Sequence, residues 1–229
     1  MKTAVIIPAR RASTRLPNKP LALIKGVPMI IRVWEAAVAS GAGPVFVATD
    51  CAEIVGLVQS VGGNAIMTDS NLASGTDRVA SAANMLEGFD AIINLQGDMP
   101  FINPSDILEV LNPLVYYDVG TLVYDMEELE RSNPNSVKAI VSWHDNINIG
   151  QAHWFLRGPL TYGYHHAGIY SYHSTVLQEI AELTPSKHEQ IEKLEQLRFL
   201  ENGFTIGVAK VDKIEGEINT YDDLEKANL

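Results

Sequence analysis

The strongest constraint on the fold of this chain is a rhythm in its first 95 residues. Short apolar runs rich in β-branched residues alternate with longer stretches of helical periodicity, and Gly, Pro or Asn punctuates the joins. Residues 3–8, 45–49, 65–67 and 90–95 read as strands, and 28–39, 52–61 and 77–86 as helices. Strands that each feed a helix cannot pair as hairpins. They form a mainly parallel sheet covered on both faces, which is the α/β class. Nearly half the residues are apolar, enough to fill such a core.

The rhythm changes past about residue 114. Residues 119–124, 137–143 and 167–172 read as strands with no helix between them, an antiparallel excursion. An amphipathic helix is expected over 186–200, a strand over 205–211 and a terminal helix from about Tyr221. The expected organisation is one domain over 1–229, with a part at about 1–114 plus a C-terminal return and a second part at about 115–200.

Charge narrows the function classes. The net charge is −11, which argues against sequence-independent nucleic-acid binding, since that depends on Lys and Arg at phosphates. The distribution is uneven. Lys2, Arg10, Arg11, Arg15, Lys19, Lys25 and Arg32 all precede the first acid, Glu35. An acidic chain with one basic segment points to a local anion site, or else to an uneven surface. No apolar run approaches the length of a membrane span, and Arg10 and Arg11 follow too closely on the first strand for a signal peptide. The single cysteine, Cys51, cannot form an internal disulfide, which fits the cytoplasm.

The basic segment has a defined place. Strand 3–8 runs directly into Ala9-Arg10-Arg11 and on through Arg15 to Lys19. In an open α/β sheet, ligands bind beyond the carboxyl ends of the strands. Neither the Gly-rich dinucleotide turn nor a P-loop is present there. The loop offers guanidinium forks and a lysine instead, which suit a triphosphate; a solvated basic loop is the alternative. Gln96-Gly97-Asp98 follows strand 90–95 in the same way, so Asp98 emerges at the same edge. A carboxylate beside phosphates calls for a bridging cation, Mg²⁺ being the usual one. Ser74-Gly75-Thr76 taken alone reads as a helix cap.

These motifs, in this order, resemble the sugar-acid cytidylyltransferases, most closely the 3-deoxy-manno-octulosonate (Kdo) branch. The likeness is carried by the loop 7–21, Val47-Ala48-Thr49-Asp50, Met67-Thr68, Ser74-Gly75-Thr76-Asp77-Arg78 and Asn94-Leu95-Gln96-Gly97-Asp98. It continues through Asn133-Pro134-Asn135, Val137-Lys138, Phe155, Arg157, His166-Ala167-Gly168-Ile169-Tyr170, Glu192 and Leu194-Glu195-Gln196-Leu197-Arg198.

The resemblance implies a Rossmann-like nucleotidyltransferase that moves a cytidylyl group from CTP to an acidic sugar for surface-glycan synthesis. It implies a nucleotide site of Ala9, Arg10, Arg15, Lys19, Ser74, Gly75, Thr76 and Arg78, and a sugar site of Gln96, Arg157, His166, Tyr170, Glu195 and Gln196. Arg10, Arg15, Lys19 and Asp98 would act in catalysis, Mg²⁺ would sit on Asp98 and Asn219, and the enzyme would be a homodimer built from the region after residue 114.

Three departures stand out. Met99 replaces an acid or amide, Asn219 replaces an Asp, and the segment between Arg157 and His166 is short. They leave open another acidic sugar, such as a nonulosonate or an amino-substituted Kdo, and a weakly active nucleotide-binding paralogue.

Overall fold

The computed structural model describes residues 1–11, 16–145 and 147–229. The chain forms two compact units, Met1–Ile107 with Glu215–Leu229, and Leu108–Ile214.

In the first unit, β1 (Thr3–Ala9) is followed by a small hairpin of β2 (Leu23–Ile24) and β3 (Val27–Pro28). The helix α1 (Met29–Ser40), strand β4 (Val45–Thr49), helix α2 (Ala52–Ser60) and strand β5 (Asn64–Met67) come next. The helix α3 (Gly75–Ala83) and strand β6 (Ala91–Asn94) complete the alternation. All four sheet strands of this unit are parallel, in the order β5-β4-β1-β6. Ala4, Val5, Ile6 and Ile7 on the central strand have no exposed surface, because helices cover both faces. The order reverses between β1 and β6. The connections leaving the carboxyl ends of these two strands therefore diverge, and the crevice between them is where such sheets take ligands.

Gly97 lies at that crevice. A Cβ there would stand 3.0 Å from the Pro8 carbonyl, so a side chain would push these two strand ends slightly apart. The β2–β3 hairpin was not legible in the sequence. Its two central residues, Lys25 and Gly26, both have positive φ (48° and 81°), and Lys is not a residue that advertises such a turn.

The short α4 (Pro104–Glu109) leads on. The second unit contains β7 (Val119–Asp125), β8 (Lys138–Trp143), β9 (Ile149–Leu156) and β10 (Tyr164–His173). It continues with α5 (Ser174–Ala181), α6 (Lys187–Glu192), α7 (Gln196–Glu201) and β11 (Ile206–Lys210). The chain then returns to the first unit and forms α8 (Tyr221–Asn228). Strands of the second unit run β10-β7-β11-β9-β8, and β8 also pairs with the start of β10, closing a ring. Every pairing in the ring is antiparallel except β7 with β11.

The single helix expected over 186–200 is two helices. Lys193 caps α6 in the left-handed region (φ 58°), and α7 starts at Gln196. Arg198 donates from Nε and Nη2 to both Glu189 carboxylate oxygens, at 2.8 and 2.6 Å. Nine residues of continuous helix would hold those side chains roughly 13 Å apart along the axis. The ion pair therefore exists only because the helix breaks. The apolar periodicity survived the break because Leu194, Leu197 and Phe199 are all buried.

Candidate active site

In the first unit, the ends of β1 and β6 and the start of α3 enclose a cleft of about 290 Å³. Ala9, Arg10, Lys19, Ser74, Gly75, Arg78, Gln96, Asp98 and Asn219 all line it. Nine residues singled out in the sequence are thus gathered from five separate stretches of chain. Arg15 lies outside the described residues. Thr76 is buried in the first turn of α3.

Each wall has a local cause. The start of α3 is fixed by a reciprocal capping box. Ser74 Oγ accepts from the Asp77 N–H and an Asp77 oxygen accepts from the Ser74 N–H, both at 3.0 Å. This cap starts the helix two residues earlier than its periodicity indicated and turns Ser74 and Gly75 to the cleft. Gln96 is oriented by its own strand, donating from Nε2 to Asn94 Oδ1 at 3.0 Å.

Arg78 has internal partners. Its guanidinium donates to Thr68 Oγ1 at 2.5 Å, to the Asp69 carbonyl at 3.3 Å and to Asp50 Oδ2 at 3.1 Å. Asp50 belongs to one of the motifs that carry the resemblance, but no role of its own was legible in the sequence. Its other oxygen accepts the Arg11 backbone N–H at 3.1 Å, so one carboxylate ties the basic loop to the α3 segment. The available signal was an acid immediately after β4, at the same edge of the sheet.

The floor of the cleft carries a three-membered polar contact. Lys19 Nζ donates to Asp98 Oδ2 at 2.7 Å and to Asn219 Oδ1 at 3.1 Å. Asp98 is on the β6 side and Asn219 on the C-terminal return, which is pinned by the Ile218 N–H donating to the Asp98 carbonyl at 3.0 Å. Two oxygens from distant parts of the chain therefore converge on a single cationic point. That donor set fits Mg²⁺, which keeps few protein ligands and fills its shell with phosphate oxygens and water. Among the described residues no three His, Cys, Asp or Glu side chains cluster as a dedicated protein cage. Met99 is 1% exposed, so the residue after Asp98 faces the core and not the cleft.

In the second unit, His166 and Tyr170 share one face of β10, with ring centroids 5.5 Å apart. His166 also meets the Phe155 ring edge-on at 4.8 Å. Burial lowers the pKa of its imidazole to about 3, with the neighbouring His165 adding to the effect, so the ring is neutral at ordinary pH. Arg157 donates from Nε to the Glu192 carbonyl at 3.0 Å and from Nη1 to the Pro134 carbonyl at 3.1 Å, which fixes the plane of its guanidinium. Glu195 and Gln196 sit at the α6–α7 break, not on a continuous helix, with Glu195 as N-cap of α7 and Gln196 buried.

Comparison with known proteins bears on the family. The family model described as cytidylyltransferase matches residues 4–212. The chain is 47% identical over 233 residues to the 3-deoxy-manno-octulosonate cytidylyltransferase of Paramagnetospirillum magneticum, covering 97% of this chain and 95% of that one. It is 44% identical to the protein of the same name from Rhodospirillum rubrum, covering 97% and 93%. A solved structure of CMP:2-keto-3-deoxy-manno-octonic acid synthetase complexed with CTP superposes with a TM-score of 0.92 at 38% identity, covering 100% of this chain and 97% of that one. No helix among the described residues is long and apolar enough to cross a membrane. A parallel sheet with its cationic loop at the switch point, together with a family match over nearly the whole chain, places this protein in the cytidylyltransferase family.

Proposed function

We propose that this chain transfers the cytidylyl group of CTP to 3-deoxy-manno-octulosonate. The anomeric hydroxyl of the sugar attacks the α-phosphorus, a new O–P bond forms, the bond to the β-phosphate oxygen breaks, and pyrophosphate leaves as the hydroxyl proton passes to solvent. The observation that carries this reading is the convergence of Lys19, Asp98 and Asn219 in the cleft that Arg10 and the Ser74–Gly75 cap also line. Such transfers depend on positioning and charge neutralisation more than on covalent help.

Arg10 and Lys19 neutralise the leaving phosphates, with Arg15 from the same loop, and the α3 cap with Gln96 holds the nucleoside. Asp50 and Arg78 set the distance between these two loops. Asp98 and Asn219 hold Mg²⁺, which when bound supplies charge neutralisation at the phosphate oxygens. His166, Tyr170, Arg157, Glu195 and Gln196 take the sugar. Pyrophosphate release from CTP, Mg²⁺ and the sugar acid tests the reading. Equal turnover with UTP or ATP removes the cytidine assignment, and faster turnover with another acidic sugar reassigns the substrate.

The family resemblance also supports a homodimer in the cytoplasm. In the second unit Val115 and Tyr116 are 75% and 58% exposed, an apolar surface that a second copy would cover. Tyr116→Asp should shift the sedimentation coefficient from dimer to monomer at micromolar concentration. An unchanged value places the contact elsewhere.

A further inference from the structure

The second unit contains a buried hydroxyl that no catalytic role uses. Thr121, in the middle of β7, has no exposed surface, and three groups surround its Oγ1. The Ile169 carbonyl is at 2.7 Å, the Ala167 carbonyl at 3.2 Å and His166 Nε2 at 3.0 Å. The reason for this crowding is a bulge. Ala167 pairs with Leu122 and Tyr170 with Thr121, so two residues of β10 have no partner on β7. The bulge disrupts the ladder here, and the Thr121 hydroxyl lies within hydrogen-bonding reach of the Ala167 and Ile169 carbonyls.

A hydroxyl has one proton, and a carbonyl can only accept. If that proton went to His166, two buried carbonyl oxygens would face the Thr121 oxygen with no hydrogen between them. The proton therefore goes to a carbonyl, the nearer being that of Ile169. His166 must then be the donor in its contact with Thr121, so its proton is on Nε2. The ring is neutral, so Nδ1 is left as a bare acceptor, and Nδ1 has no hydrogen-bond partner among the described residues.

We infer that Thr121 is a positioning residue that locks His166 in the Nε2–H tautomer, so that Nδ1 accepts a hydrogen bond from a hydroxyl, or an amine, of the acidic sugar. His166 thereby reads a donor group of the sugar and disfavours its carboxylate, which has no proton to give. The sugar part of this inference rests on the function proposed above; the tautomer does not.

The experiment is ¹H–¹⁵N correlation spectroscopy of the imidazoles in the full-length protein, with His166 assigned by loss of its signals in His166→Asn. The expected pattern is a protonated Nε2 and an unprotonated Nδ1. Thr121→Val should disturb that pattern and raise KM for the sugar about tenfold, with KM for CTP unchanged, as for one lost hydrogen bond. Thr121→Ser should restore both. If Thr121→Val does not fold, Thr121→Cys, with its weaker thiol, should give an intermediate sugar KM. A protonated Nδ1 in the unmodified protein overturns the tautomer lock. So does a Thr121→Val protein that keeps the original tautomer and sugar KM. An unmodified protein that makes no pyrophosphate from CTP with any acidic sugar sinks the proposed function and the sugar role together, while leaving the spectroscopic result standing.

Discussion

Lys19 stands where the two oxygens proposed to hold Mg²⁺ meet, so it occupies a cationic position next to the phosphates it is proposed to bind. Lys19→Met keeps the stem and removes the charge. It should raise KM for CTP about tenfold to hundredfold, since a lost charge-assisted contact costs roughly 1.5–3 kcal/mol. Unchanged steady-state kinetics would remove Lys19 from the proposed phosphate contacts. Asn219→Asp gives the pair a second charged oxygen, and hard cations favour charged oxygen ligands. The Mg²⁺ concentration for half-maximal rate should fall while CTP selectivity stays as it was. Asp98→Asn should act oppositely and more severely, because no carboxylate then remains in the pair. A Mg²⁺ titration that does not move for Asn219→Asp, alongside a dead Asp98→Asn, would put Asn219 outside the metal shell. The positions of individual residues on the cleft were legible because they follow from a strand end, as with Asp98 after β6. Arg78 was half legible. Its position on the cleft could be read, but its bonds to Asp50 and Thr68 could not, since they join residues far apart in sequence.

Among the elements, those with uninterrupted periodicity were legible and those set by tertiary contacts were not. The strands of the first unit are short apolar runs because the sheet is covered on both faces, and their boundaries fall within about a residue of the pattern. The strand β9 was invisible. It carries Gly150, whose added Cβ would come within 2.6 Å of the Ser142 carbonyl, so a residue that usually marks a break is here required by close packing of β8 and β9. The α6–α7 break was equally hidden, because it is held by Glu189 and Arg198. Both side chains are largely buried, so removing one strands the other. Arg198→Met should lower stability by about 3–5 kcal/mol in urea unfolding, and more than Glu189→Gln, which leaves a neutral acceptor. If both variants unfold at the original midpoint, the pair does not hold the two helices together.

At the scale of the molecule, acid sensitivity is built into the β10 face. His166 titrates near 6.5 when unfolded and at about 3 when folded, because burial and His165 disfavour its charge. Below pH 6.5 the unfolded chain therefore binds a proton that the folded chain does not. Stability should be unaffected by this group above pH 6.5 and fall progressively from there toward pH 3, by up to a few kcal/mol. His165 is also lowered by burial, against the pull of Glu130, and adds in the same direction. Urea midpoints between pH 7 and 4 should fall less steeply in His166→Gln than in the unmodified protein; parallel curves would rule His166 out as the cause.

The first unit is also discontinuous along the chain, being completed by Glu215–Leu229 after the whole of the second unit. Ile218 covers Leu16, Ile24 and Met29 from that return, and Asn219 joins Lys19 and Asp98. During synthesis the β1 to β6 sheet can leave the ribosome and collapse, but the cleft proposed to take the nucleotide stays unfinished while the second unit is translated. At about 5–20 residues per second, that wait is on the order of ten seconds. A nascent or prematurely terminated chain thus has the basic loop without the segment that closes the site around it, so an incomplete product should not sequester nucleotide from the finished enzyme.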